Sequence, residues 1–395
     1  MERTLNFLSA HWRLIAASIG LACVAYVLLF RGISTLTVDY AATEIQTKQE
    51  ASSLRLVFDN PVNAPYKVLA WTGQKLGHNS IAVTRVASAS FAVAVAVLFY
   101  WVATHWYSKR VALLSSLLFV CSSGFLHIGR YGSALILQMA TLVLISCVFL
   151  FRRTKHEFLM AYAITAVIAA CLYVPGMVWF ALIGLYLMRK RIAYLFGKLG
   201  TLHTALIFTL GIGLLVPLLL AMFRDITVAR TIFGLPSTFP SPALLVDNFI
   251  HLGSSVVYKG YWPTEYWMYG APLLNVGESV LFIAGLILLV KRPILRGNYF
   301  LLGTLIVSTV LIVIGGSATI AMLTPLIYLT IAGGLFYMLD QWLTVFPRNP
   351  IAKYSGVLLL MTLVSFSILY HLRAYYTAWP NAPETKVVYS VKQPS

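Results

Sequence analysis

The sequence predicts a polytopic all-α membrane protein, and three observations predict it. Hydrophobic residues fill 59% of the 395 positions. Charged residues fill only 10%, against about 25% in a soluble globular chain. Apolar runs of the roughly 17 to 25 residues that cross a hydrocarbon layer recur from end to end. Eleven spans are expected, near residues 14–30, 81–104, 111–126, 134–151, 158–172, 176–188, 203–222, 280–290, 299–314, 320–339 and 356–370. The fifth and sixth are divided at Val174, Pro175 and Gly176, a break that reads either as a tight turn or as a kink in one long helix.

Basic residues in short loops stay on the cytoplasmic side, which sets the expected orientation. With a cytoplasmic N-terminus, the inner segments carry sixteen basic and three acidic residues. The outer segments then carry thirteen basic residues and nine acids. The formal charge of +17 is therefore a topology signal, and no nucleic acid partner is expected. Cys23, Cys121, Cys147 and Cys171 all lie in or at the ends of apolar runs, so neither a disulfide nor a metal site is expected. No small-residue cleavage site follows the first span, which reads as a retained helix.

The chain is expected to be a single integral-membrane domain over residues 1–395, with outer loops at 31–80 and 223–278 and a short outer tail at 372–395. Loops of that length carry function or structure of their own. In the first, one surface helix is expected from Thr43 to Phe58, stopped by Asp59, Asn60 and Pro61, and a second from Pro65. The second loop packs Tyr258, Tyr261, Trp262, Tyr266, Trp267 and Tyr269 into twelve residues. That cluster reads equally as a headgroup-depth anchor and as a wall for a lipid or sugar. His78, His127 and His251 read as interfacial residues.

Four stretches carry a family resemblance: Asn63-Ala64-Pro65-Tyr66-Lys67-Val68-Leu69, Arg85-Val86-Ala87-Ser88, the run Tyr107 to Leu114, and Gly129-Arg130-Tyr131-Gly132-Ser133-Ala134. Their order around the spans resembles the N-terminal half of the family 39 membrane glycosyltransferases, the protein O-mannosyltransferases and the lipid A aminoarabinose transferase, which have the GT-C fold. The match covers residues 14–150 and the rest by layout. Thr324 to Tyr328, Phe346 to Pro350 and Tyr375 to Pro380 add a weaker likeness.

The resemblance implies transfer of a sugar from a polyprenyl-phosphate carrier to an acceptor at the outer face of a plasma membrane, with no metal cofactor. Such a reaction needs a carboxylate to take the acceptor's proton. It also needs cations for the leaving phosphate, and an apolar groove for the lipid tail. The family's key acid falls just after the first span, where this chain offers Asp39 and Glu44, separated rather than adjacent. An acid in a helix's first turn is also ordinary dipole matching, which applies to Glu44. Ser133 stands where many members carry a second acid. Lys67, Arg130, Arg224, Arg230 and Lys259 are the outer basic residues offered for the phosphate, Glu265 is offered for a sugar hydroxyl, and Tyr66 and Ser133 are further candidate substrate-binding residues. The missing second acid also fits an inactive lipid-binding or scaffold relative. A transporter would need charged residues at the bilayer midplane and an internal repeat, and the sequence has neither.

Overall fold

The computed structural model describes residues 2–33, 39–76, 81–150, 157–292, 296–346 and 349–391. Thr37, Val38 and His78 fall outside them. The protein is an all-α, multi-pass membrane protein. Its helices run α1 (Glu2–Phe30), α2 (Ala42–Glu50), α3 (Leu54–Asp59), α4 (Ala64–Lys75), α5 (Ala82–Trp106), α6 (Lys109–Cys121), α7 (Ser123–Arg130) and α8 (Ile136–Leu150). They continue with α9 (Glu157–Cys171), α10 (Met177–Arg224), α11 (Ile226–Ile232), α12 (Pro242–Val257), α13 (Val276–Lys291), α14 (Arg296–Val313), α15 (Ile320–Val345) and α16 (Pro350–Arg373).

Five helices among the described residues are long and apolar enough to cross a membrane, or six if the bent pair α6–α7 counts as one span. That pair turns by 55° at Ser122, whose hydroxyl accepts from the Phe125 amide and starts the second helix. The expected boundary at Pro175-Gly176 is a tight turn: Gly176 sits at φ 78° and its amide donates to the Ile232 carbonyl at 2.8 Å. Two expected spans instead join as α10, which is interrupted at Gly200 where the backbone leaves helical geometry (φ 72°, ψ 167°). The expected helix from Thr43 to Phe58 is two helices, because Ser53 caps a new one at Leu54. The second loop carries α11 and the apolar α12, neither of which was expected.

Helix α15 is the centre of the bundle, with 89% of its most apolar stretch buried, whereas α1, α10 and α16 are peripheral. Its contact with α13 is made backbone to backbone. A Cβ at Gly285 would overlap the Thr330 carbonyl oxygen, and one at Gly334 would overlap that of Leu281. Small residues that let helices approach this closely are the usual means of association where lipid offers no hydrophobic gradient. Gly334→Val is therefore expected to cost at least about 1–3 kcal/mol through overpacking. The check is the thermal midpoint of the detergent-solubilised protein beside Gly303→Val, where a Cβ meets nothing within 4 Å.

The ends of α1, α10 and α16 send their following segments to one face. Tyr40 and Val391 form an antiparallel bridge, the Trp379 indole donates to the Thr264 carbonyl at 3.4 Å, and the Ser317 hydroxyl donates to the Thr231 carbonyl at 2.9 Å. Both long loops and the tail therefore close over this loop face together.

Candidate active site

The loop face is organised around one buried ion pair. Glu44, in the first turn of α2, has no exposed surface, and its carboxylate accepts four hydrogen bonds. Arg85 of α5 donates Nε to Oε1 and Nη2 to Oε2, both at 2.8 Å. The Gly132 amide donates to Oε1 at 2.9 Å and the Ala41 amide to Oε2 at 3.2 Å. A side chain at residue 132 would collide with Thr84 and Glu44, so only glycine lets the backbone come this near. Arg85 also lies 4.4 Å from the Tyr40 ring centroid and 5.8 Å from that of Tyr389. These four bonds hold the predicted acid Glu44 sealed from solvent and outside the lining of the two larger cavities on this face. They join α2, α5 and the turn that carries Ser133.

Arg130 is likewise committed. Its guanidinium donates to the Leu28, Arg31 and Gly32 carbonyls at 2.7–2.8 Å. One of these is an orphan carbonyl of the last turn of α1 and two belong to the turn that follows it, where a cation also complements the helix dipole. Glu265 accepts from the Tyr131 hydroxyl at 2.7 Å and from Thr43 at 3.3 Å, anchoring the second loop to the first. Burial, with the Glu265 charge beside it, pushes the Tyr131 phenol far up, so it remains a donor at every working pH. Burial likewise raises Tyr266, to about 12. Lys259, Arg224 and Arg230 are exposed and line neither of these two cavities, although Arg230 adjoins Thr231 of the smaller one's wall. The aromatic loop divides: Trp267 and Tyr266 are buried, while Tyr258, Tyr261 and Tyr269 face outward. His127 is not interfacial. It is buried among the Trp267, Tyr375 and Trp379 rings, at 4.6–5.2 Å between centroids. His251 is exposed and stacks on Tyr261.

Two larger cavities open on the loop face, neither of them lined by Glu44 or Arg85. The first is a cleft of about 290 Å³ between α2, α4 and the start of α8. It gathers three expected residues, Tyr66, Lys67 and Ser133. The Tyr66 hydroxyl turns inward to the Thr84 carbonyl at 2.7 Å, and burial pushes its pKa well up. The Ser133 carbonyl is held by Ser88 at 3.1 Å, leaving its side chain at the cleft wall. Lys67, with 5% of its side chain exposed, donates to the Asn60 carbonyl at 3.0 Å and pairs with Glu50 at 3.0 Å. Glu50 is 39% exposed and is the carboxylate of this cleft.

Sequence reasoning passed over Glu50 and two amides that join it. Asn63 caps α4 in the left-handed region (φ 59°), and its buried Oδ1 has no partner. It precedes Lys67 by one helical turn, a spacing that puts both on one face and could have signalled the pair. Gln138 donates to the Ser317 carbonyl at 2.7 Å and accepts from Thr319 at 2.8 and 3.0 Å, closing the far side. The wall thus combines amides, hydroxyls and one ion pair with apolar contacts from Val62, Ala134, Leu135 and Pro175, a mixed surface of the kind a sugar ring matches.

The second cavity is a groove of about 1040 Å³ between the ends of α1 and α16 and the tail. Asp39, the other predicted catalytic acid, lies here, half-buried, away from Lys67 and Ser133. Among the described residues, no three His, Cys, Asp or Glu side chains are near enough to hold a metal ion.

Helix order, the loop-face helices and the central α15 define a polytopic all-α membrane protein with a structured loop face. No family model and no curated protein matches the sequence. Among solved structures it is similar to ArnT from Cupriavidus metallidurans, both bound to undecaprenyl phosphate and in the apo state. Each superposes with a TM-score of 0.54 at 15% identity, covering 96% of this chain and 78% of the other. It is also similar to the Archaeoglobus fulgidus oligosaccharyltransferase tethered with an acceptor peptide containing the NVT sequon, at TM-score 0.51 and 13% identity. That match covers 98% of this chain and 60% of the oligosaccharyltransferase. At these identities the likeness is one of fold, and it extends the resemblance of residues 14–150 to nearly the whole chain.

Proposed function

We propose that the protein is a glycosyltransferase that moves a sugar from a polyprenyl-phosphate carrier to a hydroxyl-bearing acceptor, with the chemistry in the cleft between α2, α4 and α8. The observation that carries the reading is the Glu50–Lys67 pair, a half-exposed carboxylate and a buried ammonium 3.0 Å apart in a cleft of mixed polar and apolar lining. As the acceptor oxygen bonds to the anomeric carbon, its proton passes to Glu50. As the bond from that carbon to the phosphate oxygen breaks, the negative charge that leaves with the lipid phosphate is met by Lys67. The fold likeness to ArnT bound to undecaprenyl phosphate supports the donor class. Basic inner loops support a cytoplasmic N-terminus and an outward loop face in a plasma membrane.

A second reading keeps Asp39 as the base, favoured by its place in a groove with three basic side chains. Sheltered charges act far more strongly on a developing anion than solvated ones. The groove's cations are all exposed, so the cleft is the better reactor. The test is sugar release from polyprenyl-phosphate mannose and aminoarabinose by the purified full chain in nanodiscs, beside Glu50→Gln and Asp39→Asn. Turnover lost with Glu50→Gln and kept with Asp39→Asn is the expected result. The opposite pattern moves the chemistry to the groove, and no turnover by the wild type with any donor and acceptor pair favours a lipid-binding scaffold.

A further inference from the structure

The groove between α1 and α16 is left without a role by the cleft, and its construction is specific. Its membrane-side wall is apolar: Val27 and Leu28 from the last turn of α1, Leu369 and Leu372 from α16. Above that wall stand three cations from three segments of the chain, Arg31, Arg373 and Lys386. All three side chains are exposed, and among the described residues no carboxylate lies within ion-pair distance of any of them. Asp39 is the single acid of the lining. The site therefore carries a net charge of about +2 at the depth where a lipid's phosphate meets water.

We infer that this groove binds one anionic phospholipid of the surrounding leaflet, with its phosphate among Arg31, Arg373 and Lys386, a headgroup hydroxyl on Asp39, and its acyl chains along Val27, Leu28, Leu369 and Leu372. The walls fit that occupant in several ways. Both helices are peripheral, with 17% and 22% of their most apolar stretches buried, so their outer faces are open to lipid chains. The volume of about 1040 Å³ is large for a bare anion and open on one side. Its shape is fixed before any ligand arrives. Tyr376 donates to the Leu28 carbonyl and ties the tail to α1, and the Tyr40–Val391 bridge fastens the tail's far end. A mixed set of three cations and one carboxylate suits a phosphodiester that also bears hydroxyl donors, which phosphatidylglycerol does and phosphatidylcholine does not. The lipid would join α1, α16 and the tail, the same segments that close the loop face, and this holds whether or not the cleft is catalytic.

The test uses the full-length protein in detergent, with native mass spectrometry to count retained lipid after incubation with equimolar phosphatidylglycerol and phosphatidylcholine. Phosphatidylglycerol is expected to be retained as a single molecule and in preference. Each cation contributes about 1 kcal/mol near a membrane surface, so Arg31→Gln, Arg373→Gln and Lys386→Gln should each weaken retention about fivefold. Lys386→Gln is exposed and in the tail, so it keeps the test sound if the arginine variants misfold. Equal retention of the two lipids, or single variants that hold phosphatidylglycerol as the wild type does, overturns the inference. So does its displacement by inorganic phosphate, which would make the groove an anion site alone. Displacement by polyprenyl phosphate from the wild type, together with loss of turnover in Asp39→Asn, would make it the donor site. Because lipid retention is read without turnover, a failure of the glycosyltransferase reading leaves this result interpretable.

Discussion

Arg85→Met is expected to cost about 3–5 kcal/mol and to leave little folded protein, because it strands the Glu44 charge where water cannot reach it. Glu44 has no exposed surface and the Arg85 side chain is 4% exposed. Methionine fills much of the arginine's space but supplies none of the two 2.8 Å donors, leaving only the Ala41 and Gly132 amides on the carboxylate. Those losses propagate, since α2, the turn at 131–133 and the tail beneath Tyr389 all rest on this pair. Glu44→Gln is expected to cost less, because one amide oxygen still accepts while no charge is stranded. The double variant should then be more stable than Arg85→Met alone, the sign of a coupled pair. Thermal unfolding of the four proteins decides it. If Arg85→Met lies within about 1 kcal/mol of the wild type, the pair is not the hinge of the loop face.

The all-α membrane class and the helices of the first loop were legible from composition and local signals, but the eleven expected spans were not all found: among the described residues five helices, or six with the bent pair, are long and apolar enough to cross a membrane. An apolar run declares itself, Asp59-Asn60-Pro61 stops α3, and Pro65 opens α4 within a residue of where the chain predicts it. Where helices break was less legible. Ser122 is a single residue inside an apolar run, and hydropathy is blind to the backbone angle it adopts, while the basic stretch around Gly200, expected to be a loop between two spans, is helical on both sides of that glycine. The site was legible only in part. Lys67, Tyr66 and Ser133 do meet in the cleft, since the resemblance gave their segments in order. The surroundings of Glu44, Arg130 and Glu265 were not readable, because each is held by partners 41 to 222 residues away. An acid after the first span looks the same in sequence whether it opens to a cavity, as Asp39 does, or is sealed by an arginine, as Glu44 is. Glu50 was missed for the converse reason, since on an amphipathic surface helix an acid is the ordinary residue.

Glu50→Gln is expected to lower kcat for sugar transfer by about 10²–10⁴-fold, the usual contribution of a positioned general base. KM for the donor should change little, since glutamine keeps the size and the hydrogen-bonding outline of the side chain. The substitution also removes the ion-pair partner of a lysine that is only 5% exposed, so a structural explanation must be separable. Lys67 retains the Asn60 carbonyl at 3.0 Å and faces a cleft open enough for water, and the stability cost should stay near or below about 1 kcal/mol. A loss of turnover with an unchanged thermal midpoint therefore assigns the effect to chemistry. Lys67→Met provides the complementary readout. If Lys67 meets the leaving phosphate, turnover should fall more for a poor leaving group than for an activated one, whereas Glu50→Gln should be sensitive instead to the acidity of the acceptor hydroxyl. Equal losses for every donor and acceptor, together with a lowered midpoint, would reduce the pair to a strut between α2 and α4. An unchanged kcat in Glu50→Gln would end its claim to be the base.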